Sequence, residues 1–157
     1  MVLGITGSRK SWYSSVASQW AAFGLNKKVL HISMENSKQS IEDRMDALYH
    51  KIPFGDIRQG LVDFRAQQKW ANDIPKITGE EGDIWVMDAT QVQSVEDISQ
   101  IVVAKKPDVV VVDGAYKLTS RLGGEGHYND KNVVQALHNA AGASKVPWLG
   151  TSQLNEE

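Results

Sequence analysis

The sequence predicts an α/β domain with a mostly parallel central sheet and helices on both of its faces. Apolar segments typical of strands alternate along the chain with segments of helical periodicity, which is the pattern of such domains. Residues 109–112 are four consecutive valines without polar alternation, as in a central parallel strand buried on both faces. Ligands of parallel sheets bind at the carboxyl ends of the strands, so the residues that follow each predicted strand are the candidates for function.

The composition is that of one ordinary globular domain. The chain has 157 residues, of which 41% are hydrophobic and 23% are charged. Its net charge of −2 gives no general attraction to nucleic acid or membranes, so an anionic partner requires a local basic patch. The absence of cysteine excludes disulfides and thiolate metal sites and favours a reducing compartment. Because the sequence shows neither a membrane-length apolar segment nor a signal region, we expect a soluble, cytoplasmic protein.

The chain begins with a short predicted strand, residues 1–3, followed by a glycine-containing loop. The loop fits the spacing Gly-x-x-x-x-Gly-Lys-Ser/Thr of phosphate-binding loops at Gly4, Lys10 and Ser11. Arg9 stands where the second glycine is usual, and it either adds charge near the phosphates, points to solvent, or disables the loop. In such loops backbone N–H groups and a lysine bind phosphate, and a hydroxyl ligates Mg²⁺. The predicted nucleotide-binding residues are Gly4, Gly7, Ser8, Arg9, Lys10 and Ser11, of which Ser11 is also a predicted Mg²⁺ ligand.

The next elements follow from apolar periodicity and capping residues. A helix is predicted from Lys10 to Phe23, and its expected buried face consists of Trp12, Val16, Trp20 and Phe23. Gly24 ends this helix, and a strand follows over residues 28–33. A second helix runs to about His50, with a capping box of Asn36 and Gln39 at its start. Its expected inward residues are Ile41, Met45 and Leu48.

The remaining elements complete the alternation. Pro53 and Gly55 predict a break, after which we expect a helix over 61–70, a loop over 74–81 and a strand over 83–87. The elements predicted after these are a helix capped by Ser94 and ending near Lys105, a strand over 108–113, a polar glycine-rich segment over 119–129, a helix over 130–144 with Val133, Val134, Leu137 and Ala141 as its apolar side, and a strand over 146–151.

Four polar features fall at the carboxyl ends of predicted strands. They are the loop ending in Lys10 and Ser11, then Glu35, Asp113 and Gln153. Because these ends share one edge of a parallel sheet, the four groups can converge on one bound nucleotide. Asp113 is predicted to hold the Mg²⁺ shell directly or through water, and the alternative is an aspartate that caps the next turn.

Glu35 and Gln153 each have two interpretations. Glu35 can polarise the water that attacks a γ-phosphate, whereas judged on local sequence alone it is an acidic residue favoured at a helix N-terminus. Gln153 can sense a γ-phosphate because its amide both donates and accepts, and the alternative is an ordinary loop residue.

The polar segment after Asp113 is a candidate DNA contact. Lys117, Arg121 and Lys131 can meet a phosphate backbone, and three glycines predict a mobile loop. The alternative is a surface loop without a ligand.

With these residues in view, the chain resembles the RecA-like ATPase domain of DnaB-type replicative helicases, particularly phage-encoded ones. The phosphate-binding loop comes first, and Ser33-Met34-Glu35 is similar to the family's Ser-Leu-Glu-Met. An Arg-Met pair at Arg44 follows, then the aspartate after the valine strand. The segment 152–155, Ser-Gln-Leu-Asn, is similar to the end of a later strand in the family. The resemblance covers nearly the whole chain and implies a RecA-like P-loop NTPase core.

The resemblance also implies specific roles. Lys10 would bind phosphate, Glu35 would be the catalytic base, and Gln153 would couple the γ-phosphate to DNA contact. ATP and Mg²⁺ would be the substrate and cofactor, and single-stranded DNA the partner of a hexameric homo-oligomer formed by the full-length protein, in the host cytoplasm if phage-encoded.

The chain also departs from the family pattern. Arg9 replaces a glycine, and the family's domain has further residues before the first strand and after 152–155, including a second DNA-contacting loop and an arginine finger. We therefore expect residues 1–157 to be a single RecA-like domain that is truncated at both ends. The alternatives are a recombinase-type ATPase without unwinding and a degenerate nucleotide-binding module without turnover.

Overall fold

The computed structural model describes residues 2–4, 9–78, 82–120 and 127–153. In these residues five parallel strands form one sheet in the order β1-β5-β4-β2-β3. The strands are β1 (Val2–Gly4), β2 (Lys28–Ser33), β3 (Asp83–Asp88), β4 (Val109–Asp113) and β5 (Trp148–Gln153). The helices are α1 (Lys10–Gln19), α2 (Lys38–His50), α3 (Phe54–Gln59), α4 (Phe64–Thr78), α5 (Val95–Lys105) and α6 (His127–Ser144). The predicted α/β fold with a parallel sheet is confirmed.

Helices cover both faces of the sheet because alternate residues of each central strand point to opposite sides. Leu30 of β2 and Val112 of β4 belong to a core that includes residues of α5 and α6. Their neighbours Val29 and Val111 pack on the other face against Ala22, at the end of the first helical segment. The run of four valines is therefore buried on both sides, as the absence of polar alternation predicts.

The predicted buried face of α1 is wrong in part. Val16 is 48% exposed and Trp20 is 64% exposed, while Trp12 and Phe23 are partly buried. The fully buried side of the helix carries three serines, Ser14, Ser15 and Ser18. Their hydroxyls are satisfied internally, since the first two bond the carbonyl oxygen of Ser11 at 2.9 Å and the third lies 2.8 Å from Nδ1 of His31. A serine face can be buried when every hydroxyl has a partner.

The first helical segment continues past α1 as a π-helical turn, Trp20–Gly24, and ends at the predicted glycine. The start of α2 differs from the prediction, because Ser37 rather than Asn36 is the N-cap and its side chain accepts from the N–H of Ser40. Gln39 bonds Asp43 instead of closing a capping box.

Other boundaries also differ from the prediction, including the start of α6, which is residue 127 instead of residue 130. Gly55 lies inside the short helix α3, where a break was expected. Helix α4 continues to Thr78, so the loop predicted over 74–81 is helical up to that residue, and 79–81 lie outside the described residues. Strand β5 extends to Gln153, which is therefore a strand residue. On α6, Val134 is 46% exposed rather than inward-facing.

The capping box predicted at Ser94 is present, with Asp97 as its second member. Of the helices in the described residues, none combines the length and apolar character needed to cross a membrane.

Candidate functional site

The register of the sheet brings the predicted site residues to one edge. Gly4 at the end of β1 is the partner of Gln153 at the end of β5. Ser33 at the end of β2 is the partner of Asp113 at the end of β4, and Glu35 follows two residues later. The N–H of Met34 donates to the carbonyl oxygen of Asp113 at 2.8 Å, which extends the pairing beyond the strands. The backbone therefore brings the ends of β1, β2, β4 and β5 to one edge of the sheet, as the prediction requires.

Asp113 is the most enclosed carboxylate of this edge, at 1% exposure. Its Oδ1 accepts the hydroxyl of Thr151 at 2.8 Å, and that hydroxyl oxygen accepts the N–H of Gly114 at 3.0 Å. Its Oδ2 is buried and has no hydrogen-bond partner among the described residues. One oxygen therefore fixes the carboxylate, and the other is left for a ligand, because a buried carboxylate oxygen without a partner is costly.

Glu35 is exposed and is held by Tyr116, whose hydroxyl donates to Oε1 at 2.7 Å. Burial and this hydrogen bond raise the pKa of Tyr116 to about 12, so the phenol remains a donor near neutral pH. Gly114 has a φ of +80°, and a Cβ at this position would lie 2.8 Å from Cγ of Glu35. A side chain here would therefore strain the backbone and displace the exposed Glu35 side chain.

On the loop side, Arg9 adopts the left-handed conformation, with φ 60° and ψ 27°. Its carbonyl oxygen accepts the N–H groups of Trp12 and Tyr13 at 3.0 and 3.1 Å and so starts α1. The backbone makes at Arg9 the kind of turn that a glycine makes most easily. Lys10 and Ser11 form the first turn of α1 and are partly buried. Gly7 and Ser8 lie outside the described residues.

A chain of side chains runs from the start of α1 to α2. Nη2 of Arg44 donates to Oδ1 of Asn36 at 2.9 Å, and Nδ2 of Asn36 lies 3.4 Å from Oγ of Ser11. The guanidinium lies over the rings of Trp12 and Phe54, at 5.8 and 5.7 Å from their centroids. Burial is the main cause that lowers the pKa of Arg44, and the nearby charges of Asp113 and Glu35 oppose it.

Two of the three predicted DNA contacts, Lys117 and Lys131, lie within the described residues. Lys117 ends a 3₁₀ turn, Ala115–Lys117, and is exposed. Lys131 is exposed on α6. Arg121 lies outside the described residues.

The donor set at this edge suits Mg²⁺. Asp113 offers one buried carboxylate oxygen, and Ser11 offers a hydroxyl oxygen. The described residues contain no group of three or more His, Cys, Asp or Glu side chains that could enclose a metal without other ligands. Mg²⁺ commonly takes one or two protein oxygens and completes its shell with water and substrate phosphates.

Thr151 and Tyr116 were not predicted from the sequence, and neither was the contact of Asn36 with Ser11. Thr151 could have been found from topology, since it lies opposite Asp113 once β4 and β5 are paired. Tyr116 carries no pattern that separates it from any other residue of a short turn.

The sheet order and the helices on both faces of the sheet give the chain a RecA-like α/β fold. The structure is similar to a solved ATPase domain, with a TM-score of 0.82, 20% identity, and coverage of 99% of this chain and 56% of that one. It is also similar to a DnaB-like replicative helicase solved for its interactions with primase, with a TM-score of 0.79, 19% identity, and coverage of 99% and 38%. The fold predicted from the resemblance to DnaB-type domains is thus confirmed. This chain spans about half or less of those two chains.

No protein-family model and no curated protein sequence matches the chain.

Proposed function

We propose that the chain is the ATP-binding and ATP-hydrolysing motor domain of a DnaB-like replicative DNA helicase, which couples hydrolysis of Mg·ATP to translocation on single-stranded DNA. The observation that carries the proposal is Oδ2 of Asp113 at the carboxyl edge of the sheet. This oxygen is buried and has no hydrogen-bond partner among the described residues. In a RecA-like fold this is the edge at which a phosphate-binding loop and a water-activating residue also meet.

The residues divide the work of phosphoryl transfer. We assign phosphate binding through backbone N–H groups to Gly4, Gly7, Ser8 and Arg9, and neutralisation of phosphate charge to Lys10. Ser11 and Asp113 would hold Mg²⁺, which when bound offsets the charge on the phosphates.

Glu35 then accepts the proton of the attacking water. The hydrogen bond from Tyr116 restricts the orientation of its carboxylate, which favours a defined position for that water. Gln153 lies beside Gly4 in the sheet and, as a neutral group near the start of the loop, senses the γ-phosphate.

Translocation needs a nucleic-acid contact and neighbouring subunits. One structural neighbour is described as a DnaB-like replicative helicase that interacts with primase, which motivates the same context for this chain. We assign the DNA phosphate contacts to Lys117, Arg121 and Lys131, and we assign a hexameric homo-oligomer in the cytoplasm to the full-length protein.

The first test is equilibrium binding of a fluorescent ATP analogue with Mg²⁺ to the chain and to Lys10→Ala. Removing the lysine is expected to weaken binding on the order of 100-fold, since charge-assisted phosphate contacts contribute strongly. Lys27→Ala is the matched control, because Lys27 is exposed next to the amino end of β2, at the opposite edge of the sheet. Equal binding by all three proteins would refute a phosphate site at this loop.

The second test is hydrolysis. Glu35→Gln is expected to retain nucleotide binding and to lower turnover on the order of 100-fold or more, as loss of a general base does. Stimulation of turnover by single-stranded DNA, reduced in Lys117→Ala, would support the motor assignment.

A second candidate function is nucleotide binding without turnover. It is favoured by Arg9, which holds a left-handed conformation where phosphate-binding loops have glycine. Steady turnover that depends on Glu35 would eliminate it.

A further inference from the structure

The burial of Arg44 leaves hydrogen-bond donors without partners, which packing against its neighbours does not explain. Its guanidinium is partly buried, and within the described part of the chain only Nη2 has a hydrogen bond, to Asn36. Nε and Nη1 are buried and have no partner among the described residues. Each buried donor without a partner destabilises a fold, so a residue kept in this state is a candidate for a role other than stability.

The Arg44 guanidinium lies over two aromatic rings. Trp12 of α1 and Phe54 of α3 lie 5.8 and 5.7 Å from the guanidinium carbon and also contact each other edge to face, with centroids 5.4 Å apart. These contacts and the hydrogen bond to Asn36 restrict the rotation of the guanidinium.

The hydrogen bond from Arg44 decides which way the Asn36 amide points. An arginine only donates, so Asn36 must present Oδ1 to Arg44 and its NH₂ group to the opposite side. That side holds Oγ of Ser11, 3.4 Å from Nδ2. The backbone N–H of Asn36 donates to Oγ of Ser33 at 3.1 Å, which anchors the residue at the end of β2.

This orientation acts on the Ser11 hydroxyl. The amide N–H takes one lone pair of Oγ, which leaves the other lone pair for a cation and turns the hydroxyl hydrogen away from Asn36. If the amide reversed, its oxygen would attract that hydrogen and rotate the hydroxyl away from the orientation that ligation requires.

We propose that Arg44 is a positioning residue for Mg²⁺ binding, which acts through Asn36 to present the lone pair of the Ser11 hydroxyl to the ion. The inference rests on the proposed function, because it assigns Ser11 to a Mg·nucleotide site. The alternative is that Arg44 only stabilises the packing of α1, α2 and α3. In that case its removal would lower the stability of the fold without changing the affinity for Mg²⁺.

The test is a Mg²⁺ titration of the full chain in the presence of a fluorescent ATP analogue. Arg44→Met keeps an unbranched apolar side chain against the two rings and removes the donors. It is expected to raise the Mg²⁺ concentration at half-saturation about 10-fold, within the range found for residues that orient metal ligands, and to leave analogue binding in EDTA unchanged. Arg58→Met is the matched control, because Arg58 lies over the same Phe54 ring at 5.8 Å and is exposed.

Asn36→Ala is the second variant and is expected to give the same Mg²⁺ shift without disturbing the ring contacts. In a Ser11→Ala background, Arg44→Met is expected to add no further shift, since the hydroxyl it orients is gone. A parent that binds nucleotide while Arg44→Met and Asn36→Ala titrate like Arg58→Met would overturn this inference and leave the proposed function standing. Equal loss of binding with and without Mg²⁺ would make Arg44 a direct phosphate contact and would also overturn it. Failure of the parent to bind nucleotide would overturn both.

Discussion

Two residues with left-handed backbone border the candidate site, and they differ in how well they suit it. Gly114, with φ +80°, follows the β4 strand on the acidic side, where a Cβ would lie 2.8 Å from Cγ of Glu35. Arg9, with φ 60°, ends the proposed phosphate-binding loop, and a side chain in this conformation costs roughly 1–2 kcal/mol. The acidic side therefore has a glycine at its left-handed position, whereas the loop side has a strained residue next to the proposed nucleotide site, as functional sites often do.

The largest expected effect concerns His31, which ties β2 to α1 between these two sides. Burial, and secondarily the charge of Arg44, lowers the pKa of His31 to about 4. Below the unfolded value of about 6.5 the unfolded chain binds a proton that the native protein does not, so stability falls as pH falls from about 6.5 to about 4. The expected loss from this residue is about 3 kcal/mol.

Urea unfolding of the chain and of His31→Gln at about pH 7.5 and about pH 4 measures this loss. The variant is expected to be less stable at the higher pH and to lose about 3 kcal/mol less on acidification. His138→Gln is the control, because His138 is exposed on α6. Identical acid sensitivity of all three proteins would show that His31 does not titrate differently on folding.

Gly114→Ala tests the acidic side. The left-handed backbone alone should cost about 1–2 kcal/mol in urea unfolding. The added Cβ also displaces Glu35, so turnover should fall about 10- to 100-fold, as it does when a catalytic group is misplaced by about 1 Å. Gly60→Ala separates the two effects, since Gly60 has φ +68° with no atom within 4 Å of its added Cβ. If both variants keep full turnover, the contact with Glu35 has no catalytic consequence.

Tyr116→Phe removes only the hydrogen bond to Glu35. The expected loss is about 1 kcal/mol in the barrier, or roughly fivefold in turnover, with nucleotide affinity unchanged. Tyr13→Phe, at an exposed tyrosine of α1, is the control. A rise in turnover would instead mean that Tyr116 restrains Glu35 in a resting position.

The contrast between the two sides also explains what the sequence could predict. The position of Asp113 was predictable because it follows a strand that is buried on both faces. In a parallel sheet the carboxyl end of such a strand lies beside the carboxyl ends of the neighbouring strands. The buried face of α1 could not be predicted in the same way. Ser18 can be buried because its hydroxyl hydrogen-bonds with His31, a partner 13 residues away in the sequence. Asn36 was misassigned as a cap because Ser37 competes for the same backbone N–H groups, and only tertiary structure shows that Asn36 points to Ser11. Polar tertiary partners leave little trace in local periodicity.

Arg9→Gly has the smallest expected effect and bears most directly on the loop side. Relief of the left-handed strain is offset in part by the greater entropy that glycine gives the unfolded chain, so the net gain should be about 0.5–1 kcal/mol. Lys106→Gly is a matched control, because Lys106 has φ 50° at the C-terminal end of α5 and is exposed. Its free energy of unfolding in urea should rise by a similar amount.

Nucleotide affinity then distinguishes the interpretations of Arg9. Because exposed charges contribute little, Arg9→Gly should bind the ATP analogue within about twofold of the parent. Arg9→Ala, which removes the charge and keeps a Cβ in the left-handed backbone, should match it in affinity but not in stability. Weaker binding by both variants would mean that the Arg9 guanidinium contacts the phosphates. Tighter binding by the glycine variant alone would mean that strain at Arg9 limits the loop.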